Sequence, residues 1–417
     1  MTQKQVAVIG GGIAGVCTAY FLAEAGHDVV VLERHHNVAE EASYTNPGLV
    51  APAYVGPSAA PGMPRKILSS LFKSESAVSF KPSADRALWR WISRWLDECD
   101  LERFRINKLR MQRLATYSRD ILKLMREHYQ IEYEQTRGVL QLFRTAKDLK
   151  LAEPAISLLA EYDVPFLMLD ADGARAVEPT LSTHTPLASA IYLPEDEAGN
   201  CPLFTKRLKY ICTSMGVQFH FTSAVEAIEP GGSGAGLRIA GKRFDADAVV
   251  VAAGSDSMRL LKPLGVQLPM YPVKSYVATA IIKNFDHAPV ATVIDEAYSV
   301  TLTRMGGRIR IAGIPEFGTR TEELQDRALR TLARVGSDWF PHAAIYGKAN
   351  FWSGALPTLP DGPPLLGAAP ARNVFINIGH GSGGWTMAAG AGKLVADMVS
   401  GRATDIDLDG LTLARYG

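Results

Sequence analysis

Two glycine-rich stretches hold the residues whose types and spacing point to chemistry. The first is Gly10-x-Gly12-x-x-Gly15, which follows the apolar run Val6–Ile9 and opens a second apolar run, Ile13–Ala25. In such a turn Gly10 permits the tight bend, Gly12 lets backbone approach a pyrophosphate, and Gly15 lets a helix pack close to a strand. The helix start, with Ile13 and Ala14 in its first turn, offers unpaired N–H groups and a positive dipole end to phosphate oxygens. Glu33 closes the next apolar run, Asp28–Leu32, 21 residues after Gly12. A carboxylate there accepts hydrogen bonds from ribose hydroxyls and argues against a 2′-phosphate, so NADP is set aside while NAD and FAD stay open. The second stretch, Gly379-His-Gly-Ser-Gly-Gly384, repeats the pattern between an apolar run, Val374–Ile378, and a helical one, Trp385–Val399. One phosphate-binding helix end is already assigned, so a second calls for another anion. A flavin supplies it, because two-electron reduction leaves negative charge near N1–C2=O that helix-end N–H groups stabilise. The pair of loops therefore favours FAD.

These loops need a scaffold. Val6–Ile9, Asp28–Leu32, Phe244–Gly254 and Val374–Ile378 read as buried strands, and Ala253-Gly254 as a small-residue turn at a strand's carboxyl end, where ligands bind in open α/β sheets. Gly138–Phe143 and Pro186–Pro194 also read as strands, and Tyr271–Lys283, Val290–Thr303 and Arg308–Ile314 as antiparallel strands of a second sheet. Helices are expected over Pro64–Lys73, Arg86–Leu96, Leu101–Tyr129, Asp148–Tyr162, Pro202–Met215 and Thr321–Trp339, with a hairpin tip at Gly231–Gly234. The expected fold is α/β locally and α+β overall: a discontinuous Rossmann-like FAD-binding domain with an inserted antiparallel-sheet and helix substrate domain. The expected boundaries are 1–64, 186–268 and 349–417 for the cofactor domain, and 65–185 and 269–348 for the substrate domain.

The 417 residues allow a large core, and 47% hydrophobic with 21% charged residues describes a globular chain. A net charge of +1 gives no global drive toward nucleic acid. Cys17, Cys99, Cys201 and Cys212 have neither disulfide-framework nor metal-site spacing, which fits a reducing cytoplasm. The uncharged run Val6–Ala23 resembles a signal segment, but its glycines suit a strand-turn-helix better. Arg86, Arg90 and Arg94 share one helix face, and the 101–128 stretch carries eight basic and three acidic residues. These basic segments, over about 65–126, read as a solvated face or as peripheral contact with an anionic membrane.

The motifs together resemble the FAD-dependent D-amino-acid dehydrogenases, within the wider family of D-amino-acid oxidase, glycine oxidase and sarcosine oxidase. Besides the two glycine loops they are Thr45-Asn-Pro-Gly48, Leu140–Thr145, Asp196–Thr205, Tyr271-Pro-Val-Lys274, Thr303-Arg304 with Arg308-Ile-Arg310, Trp352-x-Gly354 with Pro360-Asp-Gly362, and Asn377–Met387. The resemblance implies that Gly10, Gly12, Ile13, Ala14, Gly15, Glu33, Arg34, Thr45, Asn46, Gly48, Leu49, Val225, Ala253, Gly254 and the loop Gly379, His380, Gly381, Ser382, Gly383, Gly384, Trp385 and Thr386 hold FAD. No residue matches the cysteine used for covalent flavin in sarcosine oxidases, so FAD is expected to be non-covalent. The implied reaction is oxidation of a Cα–N bond to an imine, then hydrolysis to an oxo-acid, with electrons passed to a quinone or respiratory acceptor. Such chemistry rests on placing Cα against flavin N5 and on stabilising reduced flavin, so no catalytic dyad is expected. His380, Tyr298, Arg304, Tyr271 and Lys274 are the residues expected near substrate.

One departure stands out. Where the resembled family has an arginine for the substrate carboxylate, in Trp-x-Gly-x-Arg-Pro, this chain has Trp352-Ser-Gly-Ala-Leu356-Pro. Leucine cannot replace a guanidinium fork. Either another cation serves (Arg304, Arg308, Arg310 or Lys274), or the substrate is an imino acid such as D-hydroxyproline, a bulkier D-amino acid, or an amine without that carboxylate. Ser275 also differs from the glycine usual there. An oxidase of secondary amines and an electron-relaying FAD subunit are the alternatives.

Overall fold

The computed structural model describes residues 3–71, 76–81, 83–231, 234–319 and 323–417. A six-stranded sheet runs in the order Leu365–Ala368, Val374–Ile378, Ala248–Val251, Gln5–Ile9, Asp28–Leu32, Gln218–His220. Its pairs are parallel except the first, which is antiparallel. Val6, Val8, Val30, Val249 and Ile376 are all buried, the near-continuous apolar pattern of strands covered on both faces. Helices Ile13–Glu24 and Gly384–Val399 lie together on one face. A Cβ on Gly392 would stand 2.8 Å from the Cys17 and Thr18 backbone, so only glycine allows that approach.

The second sheet runs Asn350–Thr358, Tyr271–Ile281, Arg308–Phe317, Val300–Met305, Thr292–Asp295, Thr136–Phe143, Ser189–Ala198, Leu49–Val50, with two short strands at its sides. Alternation gives it two faces. One packs Tyr276, Ala278, Ile309, Ile311 and Leu302 against Leu332, Val335 and Trp339 of helix Asp326–Trp339. The other, with Thr303, Arg310 and Gly354, meets the segment after Glu33: the Thr303 hydroxyl donates to the Pro47 carbonyl (2.9 Å).

Several elements differ from their sequence-based expectation. Ser189–Ala198, Asn350–Thr358 and Leu49–Val50 fall within stretches assigned to the cofactor domain, yet all three belong to the ten-stranded sheet. Ladder hydrogen bonds decide this: Ser189–Ala198 pairs antiparallel with Thr136–Phe143, and Asn350–Thr358 with Tyr271–Ile281. The run expected as one strand over Val290–Thr303 is two, Thr292–Asp295 and Val300–Met305, reversed at a turn where Ser299 has φ of 53°. The helix expected from Thr321 begins at Asp326, and residues 321–322 lie outside the described ones, as do 232–233 of the expected hairpin tip and 72–73 of the first basic helix. Helix Leu101–Tyr129 matches its expected span, capped by Asp100.

Candidate active site

The first glycine turn folds as its spacing demands. Gly10 sits at φ of 112°, and a Cβ there would be 2.4 Å from the Ala252 carbonyl oxygen; a Cβ on Gly15 would be 1.9 Å from the Gly10 oxygen. Helix and strand therefore touch backbone to backbone. Glu33 is buried, and its carboxylate accepts from the Gly11 N–H (2.6 Å) and the His35 N–H (2.8 Å). Ser43 accepts from the Ile13 N–H (2.9 Å), capping the helix start from a segment 30 residues away.

A cleft of about 1290 Å³, counting its open mouth, begins at this turn and ends at the second glycine loop. Its walls include Gly10, Gly12, Ile13, Ala14, Glu33, Arg34, Asn46, Val225, Ala253, Gly254, Gly379, His380, Gly381 and Gly384. Ser43 and Asn377 also line it, Asn377 as the first residue of a motif read from sequence, and so do Ser223, Asp256 and Arg259, which were not singled out from sequence. Asn377 had a legible signal, since it precedes the glycine loop. Ser223 and Arg259 had none: Arg259 arrives through the fold and donates to the Val225 and Glu226 carbonyls (both 2.7 Å).

The remaining residues expected at the cofactor are not among those that line the cleft. Gly15 is used in helix packing. The Thr45 side chain meets Gly354, where a Cβ would be 2.7 Å from its methyl. Gly48 has φ of 95° and its carbonyl accepts from the Gly199 N–H (2.8 Å). The Thr386 hydroxyl donates to the Leu49 carbonyl (3.0 Å), tying helix Gly384–Val399 to this segment. Trp385 is wholly buried, edge-on to Tyr133. Ser382 is exposed, and Gly383 abuts Val55.

His380 is held at the centre of the second loop. Its Nε2 bonds Asn377 Oδ1 (2.6 Å), Asn377 Nδ2 donates to the Thr18 hydroxyl (3.0 Å), and that hydroxyl donates to the Ala14 carbonyl (2.7 Å). An amide oxygen can only accept, so Nε2 carries the proton and Nδ1 is left as a buried acceptor with no partner among the described residues. Burial pushes the ring down to about 4, so it is neutral near pH 7.

The other expected substrate residues do not line this cleft. Tyr271 is buried against Trp91. Tyr298 packs over the Arg144 guanidinium (4.9 Å) beside the helix-covered face. Lys274 lies opposite Ala355, yet its ammonium turns the other way, to the Glu323 carbonyl and to Glu316 (3.5 Å). Arg304 points away from Thr303 and lies over Phe285. Arg310 is buried beneath the 44–46 segment, where its Nη1 donates to the Tyr44 and Asn46 carbonyls. Through Thr279 it is in register with Asn350, six residues from Leu356, or about 20 Å along the strand at ~3.3 Å per residue. Arg308 is half exposed beside Glu134 (3.6 Å). The recorded contacts of these four cations are with other groups than Leu356. Leu356 itself is half-buried, on the face where Gly354 meets Thr45, two residues before Thr358, which bridges to His380.

Two glycine-lined helix starts at the ends of one cleft, with an acid at the ribose position, are the features the family model for FAD-dependent oxidoreductases spans, and it matches residues 5–398. The chain belongs to that family. A D-amino acid dehydrogenase of Bradyrhizobium diazoefficiens is 41% identical over 415 residues, covering 99% of each chain. Among solved structures, the fold is similar to glycine oxidase from Geobacillus kaustophilus (TM-score 0.77, 24% identity, 100% of this chain and 99% of that one). It is also similar to iminodiacetate oxidase from Chelativorans sp. BNC1 (TM-score 0.74, 20% identity, 98% of each). The chain is thus an FAD-dependent oxidoreductase, and its own residues fit the cofactor. The glycine turns bring bare backbone to the cleft wall, Glu33 lines its first end, and His380 Nδ1, without a hydrogen-bond partner among the described residues, offers an acceptor in the second loop.

Proposed function

We propose that this chain oxidises the Cα–N bond of a D-amino or D-imino acid, and that the cleft spanning both glycine loops carries the reading. The first loop and Glu33 take the ADP side of a non-covalent FAD, and the 379–384 loop takes the flavin side. Bound FAD would supply a two-electron acceptor for hydride from Cα; the resulting imine hydrolyses to an oxo-acid and ammonia from a primary amine, whereas the ring imine of an imino acid keeps its nitrogen. The protein's part is placement. The loop N–H groups face the charge that develops on reduction, neutral His380 accepts a hydrogen bond without adding charge, and the Asn350–Thr358 strand forms the neighbouring wall. The family membership and the D-amino acid dehydrogenase relative support this reading.

Leu356 favours a substrate whose carboxylate is not held by an arginine fork at that position, such as an imino acid or a bulkier D-amino acid. Anaerobic mixing with D-amino acids, D-hydroxyproline, sarcosine and simple amines is the test. Flavin bleaching by a D-amino or D-imino acid, with simple D-amino acids poor, is the expected result. Leu356→Arg then lowers the concentration of a simple D-amino acid needed for half-maximal bleaching about tenfold or more, the scale of one charged hydrogen bond of roughly 1.5–3 kcal/mol. Bleaching by none of these compounds sinks the reading. Hydrogen peroxide formed in step with substrate in air sinks the dehydrogenase assignment in favour of an oxidase.

The electrons then pass to a quinone or respiratory acceptor at the inner face of the cytoplasmic membrane. Helix Arg86–Asp97 buries Leu88, Trp91 and Trp95 and exposes Trp89 and Leu96 beside Arg86 and Arg90, the composition of an interfacial helix. Among the described residues no helix is long and apolar enough to cross a membrane, so contact would be peripheral. Co-sedimentation with anionic vesicles is expected, and Trp89→Glu is expected to abolish it. Equal recovery of both proteins in the supernatant removes the membrane contact.

A further inference from the structure

The segment after Leu49 passes directly behind the flavin-side loop. Thr386 holds its start, accepting from the Ala51 N–H (3.3 Å) and donating to the Leu49 carbonyl. A Cβ on Gly383 would stand 2.8 Å from Val55 Cγ2, so loop and segment are in contact. Between these points the chain makes a single turn, closed by the Val55 N–H donating to the Ala51 carbonyl (2.9 Å).

Two buried charges grip that turn from opposite ends. Asp196 accepts from the Ala53 and Tyr54 N–H groups (3.0 Å each). The Lys108 ammonium donates to the Ala53 carbonyl (2.7 Å) and the Val55 carbonyl (2.6 Å). Asp196 is 2% exposed and Lys108 1%. Among the described residues neither has an oppositely charged partner within 4 Å, so the turn itself separates them. An anion at the N–H end and a cation at the carbonyl end suit the dipole of one helical turn. Burying an ammonium without a counter-ion is nevertheless costly, and a neutral side chain would hold two carbonyls at smaller desolvation cost. A fixed charge in a low-dielectric interior also acts over several ångströms, which a neutral donor does not.

We propose that Lys108 and Asp196 are opposed positioning residues for the flavin. Together they lock the 51–55 turn against the Gly383 loop, and their charges set the flavin's electron affinity in opposite senses. The inference rests on the proposed placement of the flavin at the 379–384 loop. Reduction by two electrons and one proton leaves one net negative charge on the flavin. The Lys108 ammonium favours that charge and the Asp196 carboxylate opposes it.

The test is an equilibrium redox titration of FAD-loaded protein with dithionite and a reference dye. It is run at about pH 7.5, between the value of about 7 to which burial raises Asp196 and the value of about 8 to which burial lowers Lys108. Lys108→Met is expected to shift the oxidised-to-reduced ratio at a fixed potential at least tenfold toward oxidised, about 30 mV for a two-electron couple. Asp196→Asn is expected to shift it the opposite way, and Lys108→Arg to stay near wild type. Loss of thermal stability with an unmoved potential in both variants, or shifts of the same sign, overturns the inference and leaves a purely structural clamp. If Lys108→Met does not retain FAD, Asp196→Asn decides alone, since an unchanged or lowered potential in that variant is equally fatal. Failure of the flavin placement reads differently: substitutions at Gly379 or Gly381 would then leave both the FAD Kd and the potential unmoved.

Discussion

Alanine at Gly15 is expected to yield a chain that purifies without FAD. Its Cβ would stand 1.9 Å from the Gly10 carbonyl oxygen and 3.6 Å from the Ala252 methyl. Neither wall can yield. Gly10 is already committed to φ of 112° and its N–H bonds the Leu32 carbonyl (2.9 Å), while Ala252 is fixed by the Ile9 carbonyl (2.9 Å). The helix must therefore lift off the sheet and carry its first N–H groups away from the pyrophosphate. Overpacking of this kind costs about 1–3 kcal/mol or more, and misdirected helix-end donors lose further binding energy. Together these weaken FAD binding on the order of a hundredfold. Flavin absorbance per chain and the FAD Kd by fluorescence check this. A Kd within about twofold of wild type would show that the turn does not hold the cofactor.

Asp295→Ala is expected to be the most destabilising substitution away from the cofactor. Asp295 is fully buried at a strand end, where it accepts from Arg144 (Nε, 2.8 Å), the Trp339 indole (2.8 Å) and the Ala297 N–H (3.0 Å). It joins the ten-stranded sheet to the helix that covers it. Removing it leaves Arg144 with Asp338 (2.8 Å) as its remaining ion pair and strands the indole N–H. Breaking one side of a buried pair costs about 3–5 kcal/mol. Urea unfolding followed by tryptophan fluorescence is the measurement. A loss below about 1 kcal/mol would mean that Asp338 and solvent compensate fully. Tyr298 covers the same guanidinium, so its place in the structure follows from this network.

The cofactor end was legible in the sequence because its constraints are local. Gly10, Gly12, Gly15 and Glu33 act through backbone conformation and a fixed spacing along one strand-turn-helix-strand unit, which short-range pattern captures. His380 was legible for the same reason, sitting in a glycine loop at a helix start. Ser43, by contrast, caps the first helix from a polar loop whose composition says nothing about where it ends. Arg259 and Lys108 carried no signal at all, since each acts on carbonyls that only the fold brings near.

The substrate side shows the limit most clearly. Arg304, Arg308, Arg310 and Lys274 were all candidates in sequence to stand in for the missing arginine at 356, with Arg304 and Lys274 also expected near substrate. Strand parity separates Arg304 from Thr303, and cross-strand register moves Arg310 about 20 Å along the sheet from Leu356. Parity and register are set by ladder pairing between strands far apart in the chain, and one-dimensional pattern does not encode which strands pair. By itself the sequence determined the cofactor, the two glycine loops at helix starts and the oxidoreductase family, because those depend on glycines and an acid at short, fixed spacings. Only the tertiary structure decided where the candidate cations lie relative to Leu356, which strands form the wall beside it, and that two buried charges brace the turn behind the second glycine loop, because those depend on contacts between distant segments.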